Sequence, residues 1–154
     1  MTMDTRNAKR ASRSERGSVL LEMAMTLPLL LLVCVAIFEL GRAYQTQQIL
    51  TNAAREGARM AVLPDASTGN IQTRVKKYLE QGQLSNFSTA TVDVTTTATI
   101  PMGAGTVSAS IVTVNYPFQF TVLGPIAKMV SPKSSIPGSL TLVATAEMRN
   151  ETQF

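Results

Sequence analysis

An uninterrupted apolar run near the N-terminus constrains this chain more than any other feature. From Val19 to Leu40 the only charged residues are Glu22 and Glu39, and the stretch Met23–Phe38 contains none. As a helix, this run would be about 33 Å long at roughly 1.5 Å per residue, against a bilayer hydrocarbon core of about 30 Å. The sequence therefore predicts one membrane-spanning helix.

The charges that flank this run predict its orientation. Residues 1–17 carry five Lys and Arg against two Asp and Glu, whereas the rest of the chain is nearly neutral. Because the cytoplasmic flanks of membrane spans are rich in Lys and Arg, we expect a single-pass inner-membrane protein with a cytoplasmic N-terminus and a periplasmic C-terminal domain. The basic stretch has no apolar periodicity, so we expect it to be disordered on its own.

Two targeting signals compete with a permanent membrane span. The small residues at Gly41–Ala43 could end a cleaved signal peptide, but Glu39 and Arg42 crowd that site and the leader would be unusually long. The sequence LLVC, which ends at Cys34, has the outline of a lipoprotein signal, although Val33 stands where a small residue is usual. A lone cysteine inside a membrane helix is more often a small apolar filler.

A third alternative rests on the sequence GSVLLE at the start of the apolar run. Gly17, Ser18 and Glu22 resemble a type IV prepilin site, in which a dedicated peptidase cuts after the glycine and the fifth mature residue is a glutamate. The resemblance implies a cut between Gly17 and Ser18. The spacing alone is common in proteins, but here it lies between a short basic leader and an apolar helix.

A longer segment, Leu21–Val62, resembles the TadE-like family of pseudopilins from tight-adherence (Tad) pilus systems. The matching elements are Glu22, the Leu27–Pro28 pair, the leucine run, the ELGR of Glu39–Arg42 and the NAAREGAR that begins at Asn52. The resemblance implies a minor pilin that takes part in assembling a Tad surface pilus for adhesion and biofilm formation. It also implies prepilin peptidase, other pilin or pseudopilin subunits and the Tad inner-membrane platform as partners.

Cleavage after Gly17 would supply a counter-ion for Glu22. The new N-terminus at Ser18 would carry an α-ammonium group, whose unperturbed pKa is about 7.7–8.0. In a bilayer, the positive end of the helix dipole would favour Glu22 without any partner. In a bundle of helices an unpaired carboxylate is costly, so we predict that Glu22 pairs with the Ser18 ammonium of a neighbouring subunit. A capping box fits less well, because it needs a spacing of three residues rather than four.

Pro28 is predicted to kink or loosen the membrane helix. Its ring removes the N–H group that would bond to the Ala24 carbonyl, although membrane helices also tolerate proline without a functional reason. Beyond the membrane, a modest apolar stripe extends the helix to residue 63, and Pro64 is expected to end it.

Two pairs of opposite charges lie on this extension of the helix. Glu39 with Arg42 and Glu56 with Arg59 both have the i, i+3 spacing of neighbours on one helix face. Exposed pairs of this kind contribute a few tenths of a kcal/mol. We therefore expect both pairs to lie on solvated faces.

A short helix is predicted after a hinge at Leu63–Asn70, which is rich in helix breakers. Ile71, Val75 and Leu79 recur at i, i+4 and i+8, which indicates an amphipathic helix. Its N-terminal cap is expected at Ser67, Thr68 or Asn70 and its end at Gly82. The cluster of Arg74, Lys76 and Lys77 is expected to face water.

Three later stretches alternate apolar and polar residues, as half-buried strands do. They are Ala90–Ile100, Thr106–Tyr116 and Ser139–Met148, and the first two are expected to pair antiparallel. The intervening Pro117–Pro132 is apolar but broken by prolines and a glycine. We expect it to cover the core of the sheet, with the membrane surface as the alternative.

Composition argues against catalysis and against most kinds of ligand. The chain has no histidine and one cysteine, which excludes an intrachain disulfide, Ser/His or Cys/His catalysis and imidazole zinc sites. The acidic residues are too scattered in sequence to nominate a metal or acid/base pair. We therefore expect no enzyme activity, no catalytic or metal-binding residues, no cofactor and no small-molecule substrate. Because the part that folds is nearly neutral and poor in aromatic residues, we also expect no nucleic-acid binding.

The sequence as a whole predicts an α+β protein in three segments. Residues 1–17 form a basic prepilin-type leader, 18–63 a transmembrane helix with its extracytoplasmic extension, and 64–154 a small head with one short helix and an antiparallel sheet of about three strands. The expected function is that of a pseudopilin or minor pilin. The alternative is an uncleaved bitopic envelope protein whose periplasmic head is a protein-binding module.

Overall fold

The computed structural model describes residues 5–103, 105–130 and 139–150. Their contacts divide the chain into two compact units, with the boundary between Phe38 and Glu39. The first helix, α1 (Thr5–Ala61), contributes to both units.

In the first unit, α1 already begins at Thr5, within the basic leader. The leader is therefore helical from Thr5 onward where it continues into α1, and its disorder as an isolated segment stays a prediction. Arg, Lys, Ala and Glu are good helix formers, and extending an existing helix avoids the cost of nucleating a new one. Residues 1–4 lie outside the described part of the chain.

The rest of the first unit exposes an apolar surface. The large apolar side chains from Val19 to Phe38 are mostly 43–76 % exposed. Among the described residues, one helix, within Gly17–Ala61, is long and apolar enough to cross a membrane, and none of its most apolar stretch is buried. In water such a surface would be strongly unfavourable, at roughly 25 cal/mol for each Å². The prediction of a candidate membrane span is confirmed.

The second unit combines the remainder of α1 with a small α+β head. Its elements are α2 (Thr68–Gln81), a 3₁₀ turn (Phe87–Thr89), β1 (Thr91–Met102), β2 (Gly105–Gln119), α3 (Leu123–Val130) and β3 (Ser139–Arg149). The strands form one antiparallel sheet in the order β1-β2-β3. The predicted fold class is confirmed, and α3 is an additional short helix that was not predicted.

The core of this unit lies between the helices and one face of the sheet. Ile71, Val75 and Leu79 of α2 are fully buried, as their spacing predicts. The buried side chains of the other elements are Leu50, Ala53, Ala54 and Ala58 of α1 and Val92, Val112, Val114, Tyr116, Phe118 and Ala144 of the strands.

Both ends of α2 follow the predicted chemistry. The Ser67 hydroxyl accepts a hydrogen bond from the Asn70 N–H at 3.3 Å and is the N-terminal cap. At the other end, the Gly82 N–H donates to the Tyr78 carbonyl. A β-carbon at Gly82 would lie 2.7 Å from Ile49 Cγ2, so glycine permits a close approach to α1 here.

Strand β2 is longer than its predicted end at Tyr116, because it continues through Pro117 to Gln119. The Asn150 N–H donates to the Ser108 carbonyl, so odd-numbered residues of β2 direct their backbone groups towards β1. Pairing with β1 ends at Asn115, opposite Thr91. Pro117 lies beyond that point, and its missing N–H therefore removes no ladder bond.

Strand β1 has a β-bulge between Thr95 and Ala98, and the buried hydroxyl of Ser110 lies beside it. Ser110 of β2 is fully buried, and its hydroxyl lies 2.7 Å from Asn150 Oδ1. The Asn150 amide in turn donates to the Thr96 carbonyl at 2.8 Å. These bonds satisfy backbone and side-chain groups that the bulge removes from the regular ladder.

Each edge strand of the sheet is contacted by a glutamine from a helix. The Gln47 amide of α1 donates to the Val143 carbonyl of β3, and the Gln72 amide of α2 donates to the Val92 carbonyl of β1, both at 2.9 Å. Edge carbonyls are otherwise open to a further strand. Each edge of the sheet thus has one carbonyl occupied by a helix side chain.

The beginning of Pro117–Pro132 covers the core. Phe118 is buried, and Phe120 packs against the core with its ring 5.3 Å from that of Phe118. In α3, by contrast, Met129 is 88 % exposed. The expectation that the whole stretch covers the sheet is therefore wrong at Met129, whereas Gly124 of α3 is buried, and residues 131–132 lie outside the described part of the chain.

Candidate functional site

The prepilin-like residues lie on the exposed surface of α1 in the first unit. Gly17, Ser18 and Glu22 are all exposed, and no atom lies within 4 Å of a β-carbon built at Gly17. Ser18 and Glu22 are one turn apart, so they share a helix face. Thr26 on the same face donates its hydroxyl to the Glu22 carbonyl at 2.9 Å.

The position at which α1 begins argues against the helix dipole as the group that stabilises the charge of Glu22. Favourable interaction of a carboxylate with the helix dipole is limited to the first turn. Because α1 begins at Thr5, Glu22 lies several turns inside the uncut helix. Among the residues that the structure describes, Glu22 also has no ion-pair partner. In the uncut chain, therefore, neither the dipole nor a described neighbour compensates this charge.

Pro28 lies inside α1, and the helix continues through it without interruption. By its chemistry the residue leaves the Ala24 carbonyl without its usual N–H donor. A kink at Pro28 stays a prediction.

Glu39 forms a site in the second unit that the sequence did not reveal. The residue is only 2 % exposed. Its Oε1 atom accepts the backbone N–H groups of Thr121 and Val122, each at 2.8 Å. Arg42 Nη2 lies 3.8 Å from the same oxygen. The expectation that Glu39 and Arg42 lie on a solvated face is wrong for Glu39, because these donors compensate the burial of its charge.

The second carboxylate oxygen of Glu39 differs from the first. Oε2 is buried and has no hydrogen-bond partner among the described residues. The interaction is thus concentrated on one oxygen, which joins α1 to the chain just before α3. Its donors are 82 and 83 residues away in sequence, so no local spacing could have indicated them.

Arg42 connects the same region of α1 to the end of β2. Its Nη2 donates to the Gln119 carbonyl at 2.6 Å, and its guanidinium carbon lies 4.8 Å from the centre of the Phe118 ring. A cation placed over an aromatic ring is attracted by the ring's electron density. The Arg42 side chain therefore binds both the backbone of β2, at Gln119, and a side chain of β2, at Phe118.

A cavity of about 310 Å³ lies beside Arg42 and is lined in part by Thr46, Tyr116 and Gln119. The Tyr116 hydroxyl donates to the Ser85 carbonyl. Burial raises the pKa of Tyr116 above its ordinary value, and the Arg42 guanidinium offsets part of that rise. Among the described residues, no group of three His, Cys, Asp or Glu side chains could hold a metal ion.

The NAAREGAR motif that begins at Asn52 forms the surface by which α1 contacts the head. Ala53, Ala54 and Ala58 are fully buried. A β-carbon at Gly57 would lie 2.7 Å from Val75 Cγ2 and 3.0 Å from Val112 Cγ1. Small residues on this face allow α2 and β2 to approach the α1 backbone closely.

The charged residues of this motif make a different pair from the predicted one. Glu56 accepts hydrogen bonds from Arg74 of α2, with Nη2 at 2.9 Å, instead of pairing with Arg59. Arg74 therefore joins two helices while it stays exposed, as expected for the solvated face of α2. Lys77 is also exposed, as expected, whereas Lys76 is half-buried.

Comparison with known families supports the resemblance. Residues 17–59 match the family model described as TadE-like protein. The match confirms the predicted TadE-like segment and indicates a protein related to Tad pilus systems. A search of curated proteins and a search of solved structures returned no match.

Proposed function

We propose that this chain is a pseudopilin or minor pilin that takes part in assembling a Tad-type surface pilus. In this proposal, prepilin peptidase cuts after Gly17, and α1 anchors the protein in the inner membrane with the head in the periplasm. The mature subunit then associates with other pilin-like subunits and the Tad platform. Its role is structural and not catalytic.

The observation that carries this proposal is the family match over residues 17–59. The matched segment begins at Gly17, which is the residue after which the cut is proposed. The same segment contains the exposed apolar surface of the first unit. In membranes, helices with such surfaces associate through packing and through a few polar groups.

The placement of Glu22 supports cleavage on physical grounds. In the uncut chain the charge lies several turns inside α1, far from the helix N-terminus. A cut after Gly17 would make Ser18 the first residue and would place Glu22 close to the new positive end of the helix. It would also create an α-ammonium group, which is the kind of cation that a carboxylate among packed helices needs.

The proposal is tested by the mass of the purified protein from its native host. We expect an intact mass that corresponds to a chain starting at Ser18. Detection of a chain that retains Met1, or of one that starts near Tyr44 after cleavage as a signal peptide, would contradict the proposal. A Gly17→Leu variant, in which the peptidase site is blocked, should keep its leader and serves as the control.

A second experiment tests the pairing of Glu22. Glu22→Gln should insert into the membrane as the wild type does but should strongly reduce the number of surface filaments, since the amide carries no charge for the Ser18 ammonium of a neighbour. Membrane fractionation and electron microscopy of cells measure the two properties. Wild-type piliation in this variant would remove the role proposed for Glu22.

The uncleaved bitopic envelope protein is the alternative. It predicts an intact leader and a head that binds a partner whether or not Glu22 carries its charge. The mass measurement therefore separates the two functions, because only the pilin needs a free N-terminus at Ser18.

A further inference from the structure

The loop before α3 and α3 itself form a surface that pilus assembly through α1 does not use. We call it the α3 surface, and it consists of Val122, Ile126, Lys128 and Met129. Val122 is 40 % and Met129 88 % exposed, Lys128 is also exposed, and Ile126 is half-buried. None of these four residues belongs to the buried core. Together they form a short amphipathic surface with two exposed apolar side chains and one positive charge.

The α3 surface lies at the end of the head where Glu39 and Arg42 are found. Glu39 binds the N–H groups of Thr121 and Val122, directly before α3. Arg42 binds the Gln119 carbonyl at the end of β2. Gln119 also pairs with the first residue of β3, Ser139, so the chain leaves and re-enters the sheet at this same end.

Glu39 and Arg42 are also the residues at which the apolar run of α1 ends. If the run from Val19 to Leu40 spans the bilayer, its outer end lies at the boundary between the hydrocarbon and the headgroups. The headgroup layer on each side is about 5–8 Å deep. On that premise, the N–H groups hydrogen-bonded to Glu39 would lie at the level of this layer.

The chemistry of the α3 surface fits a lipid interface. Short amphipathic segments bind there by burying apolar side chains at the acyl boundary while Lys side chains reach the phosphates. Val122 and Met129 supply the apolar side chains, and Lys128 supplies the positive charge. No carboxylate lies between Thr121 and Val130 to oppose an anionic surface.

We infer that the α3 surface binds the outer headgroup layer of the bilayer that α1 spans, and that the Glu39 hydrogen bonds hold it there. The ligand is lipid, with apolar contacts to the acyl chains and an ionic contact from Lys128 to phosphate. This inference rests on the membrane-spanning part of the proposed function. It does not require cleavage after Gly17 or assembly into a filament.

A fluorescence experiment on the full chain tests this inference. Cys34→Ala removes the one native thiol, and Met129→Cys then carries an environment-sensitive fluorophore. The protein is reconstituted into vesicles of phosphatidylethanolamine and phosphatidylglycerol, with or without lipids that bear a nitroxide quencher near the headgroup. Leu63→Cys is the matched control, because Leu63 is apolar and 56 % exposed and follows the opposite end of α1, about 33 Å along the helix from Glu39.

We expect a blue-shifted emission at position 129 and several-fold stronger nitroxide quenching there than at position 63. Lys128→Glu should weaken quenching at 129 in vesicles that contain phosphatidylglycerol but much less in vesicles of phosphatidylcholine alone. A water-like spectrum at 129, or equal quenching at 129 and 63, would overturn the inference. A blue shift without nitroxide quenching would also overturn it, since a protein and not lipid would then cover α3.

Flotation of the same vesicles separates this inference from the proposed function. Protein that fails to float with the vesicles contradicts the membrane span and with it both proposals. Protein that floats but leaves position 129 in water contradicts only the binding of the α3 surface to lipid. The pilin proposal would then stand on the mature N-terminus and on Glu22→Gln.

Discussion

The two halves of the segment that matches the TadE-like family differ in what surrounds their side chains. In residues 17–38, most apolar side chains are exposed, and Glu22 has no ion-pair partner among the described residues. In residues 39–59, Ala53, Ala54 and Ala58 are fully buried, and Glu39 is bound by two backbone N–H groups. One match thus covers two chemically different surfaces.

The difference shows where each half finds its stabilising contacts. Residues 39–59 find theirs within the chain, because α2, β2 and the loop before α3 bury them. Residues 17–38 have an apolar surface that requires lipid or other helices. Substitutions in the second half should therefore change the stability of the head, whereas substitutions in the first half should change association in the membrane.

The largest effect on stability is expected at Gly57. Gly57→Leu would place side-chain atoms where Val75 and Val112 already lie, so the free energy of unfolding of the head should fall by about 3 kcal/mol. Gly41→Leu on the same helix is the control, because no atom lies within 4 Å of its β-carbon. Denaturant unfolding in detergent, followed by tyrosine near-ultraviolet circular dichroism, measures both. Equal stability of the two variants would contradict the close packing described for α1.

A smaller effect is expected when the two carboxylates are compared directly. Glu39→Ala removes the acceptor of the Thr121 and Val122 N–H groups and should lower the free energy of unfolding of the head by about 2 kcal/mol. Glu39→Gln should cost less, since an amide oxygen can still accept both bonds. Glu22→Ala should change the stability of the head by less than about 0.5 kcal/mol. If Glu22→Ala and Glu39→Ala destabilised the head equally, the distinction between the two halves would fail.

Tyr116 gives the head a predicted dependence on pH. Because burial raises the pKa of Tyr116 in the folded state, its contribution to stability is complete below the unfolded pKa of 10.0 and is lost as pH rises through the folded value. Tyr116→Phe should lower the free energy of unfolding of the head by about 1 kcal/mol at neutral pH. It should also reduce the fall of that free energy above about pH 10. Tyr44→Phe is the control, since Tyr44 is 68 % exposed. An unchanged alkaline decline in Tyr116→Phe would contradict this assignment.

The smallest effect is expected for the ion pair between Glu56 and Arg74. Their side chains are 27 % and 49 % exposed, so the solvent screens much of their attraction. A double-mutant cycle with Glu56→Gln and Arg74→Met should give a coupling energy below about 1 kcal/mol that decreases with added salt. A larger, salt-independent coupling would show that this pair is effectively buried and resembles Glu39 more than a surface pair.

The sequence predicted the features that depend on local patterns. The spacing of Ile71, Val75 and Leu79 predicted α2, and alternation of apolar residues predicted the three strands. Glu39 could not be predicted in this way, because its donors come from a loop more than 80 residues away. Its i, i+3 spacing with Arg42 suggested a solvated pair, and only the folded head shows that the residue is buried.

The end of β2 illustrates a second limit of local patterns. Pro117 suggested a break, since proline cannot donate to a ladder. The missing N–H of Pro117 would break a ladder bond only if a strand lay opposite it. Strand β1 begins at Thr91, opposite Asn115, and does not reach that position. The candidate cleavage site is the reverse case, because Gly17, Ser18 and Glu22 were recognised from sequence alone and the fold adds only their position on α1.

The glutamines at the two sheet edges have a consequence for how copies of this protein can aggregate. Exposed edges invite strand-by-strand addition, which is the growth mode of amyloid fibrils. Gln47 and Gln72 each occupy a carbonyl that an incoming strand would need. If many heads are held close together, as the proposed function implies, this protection would disfavour irreversible cross-β association between them.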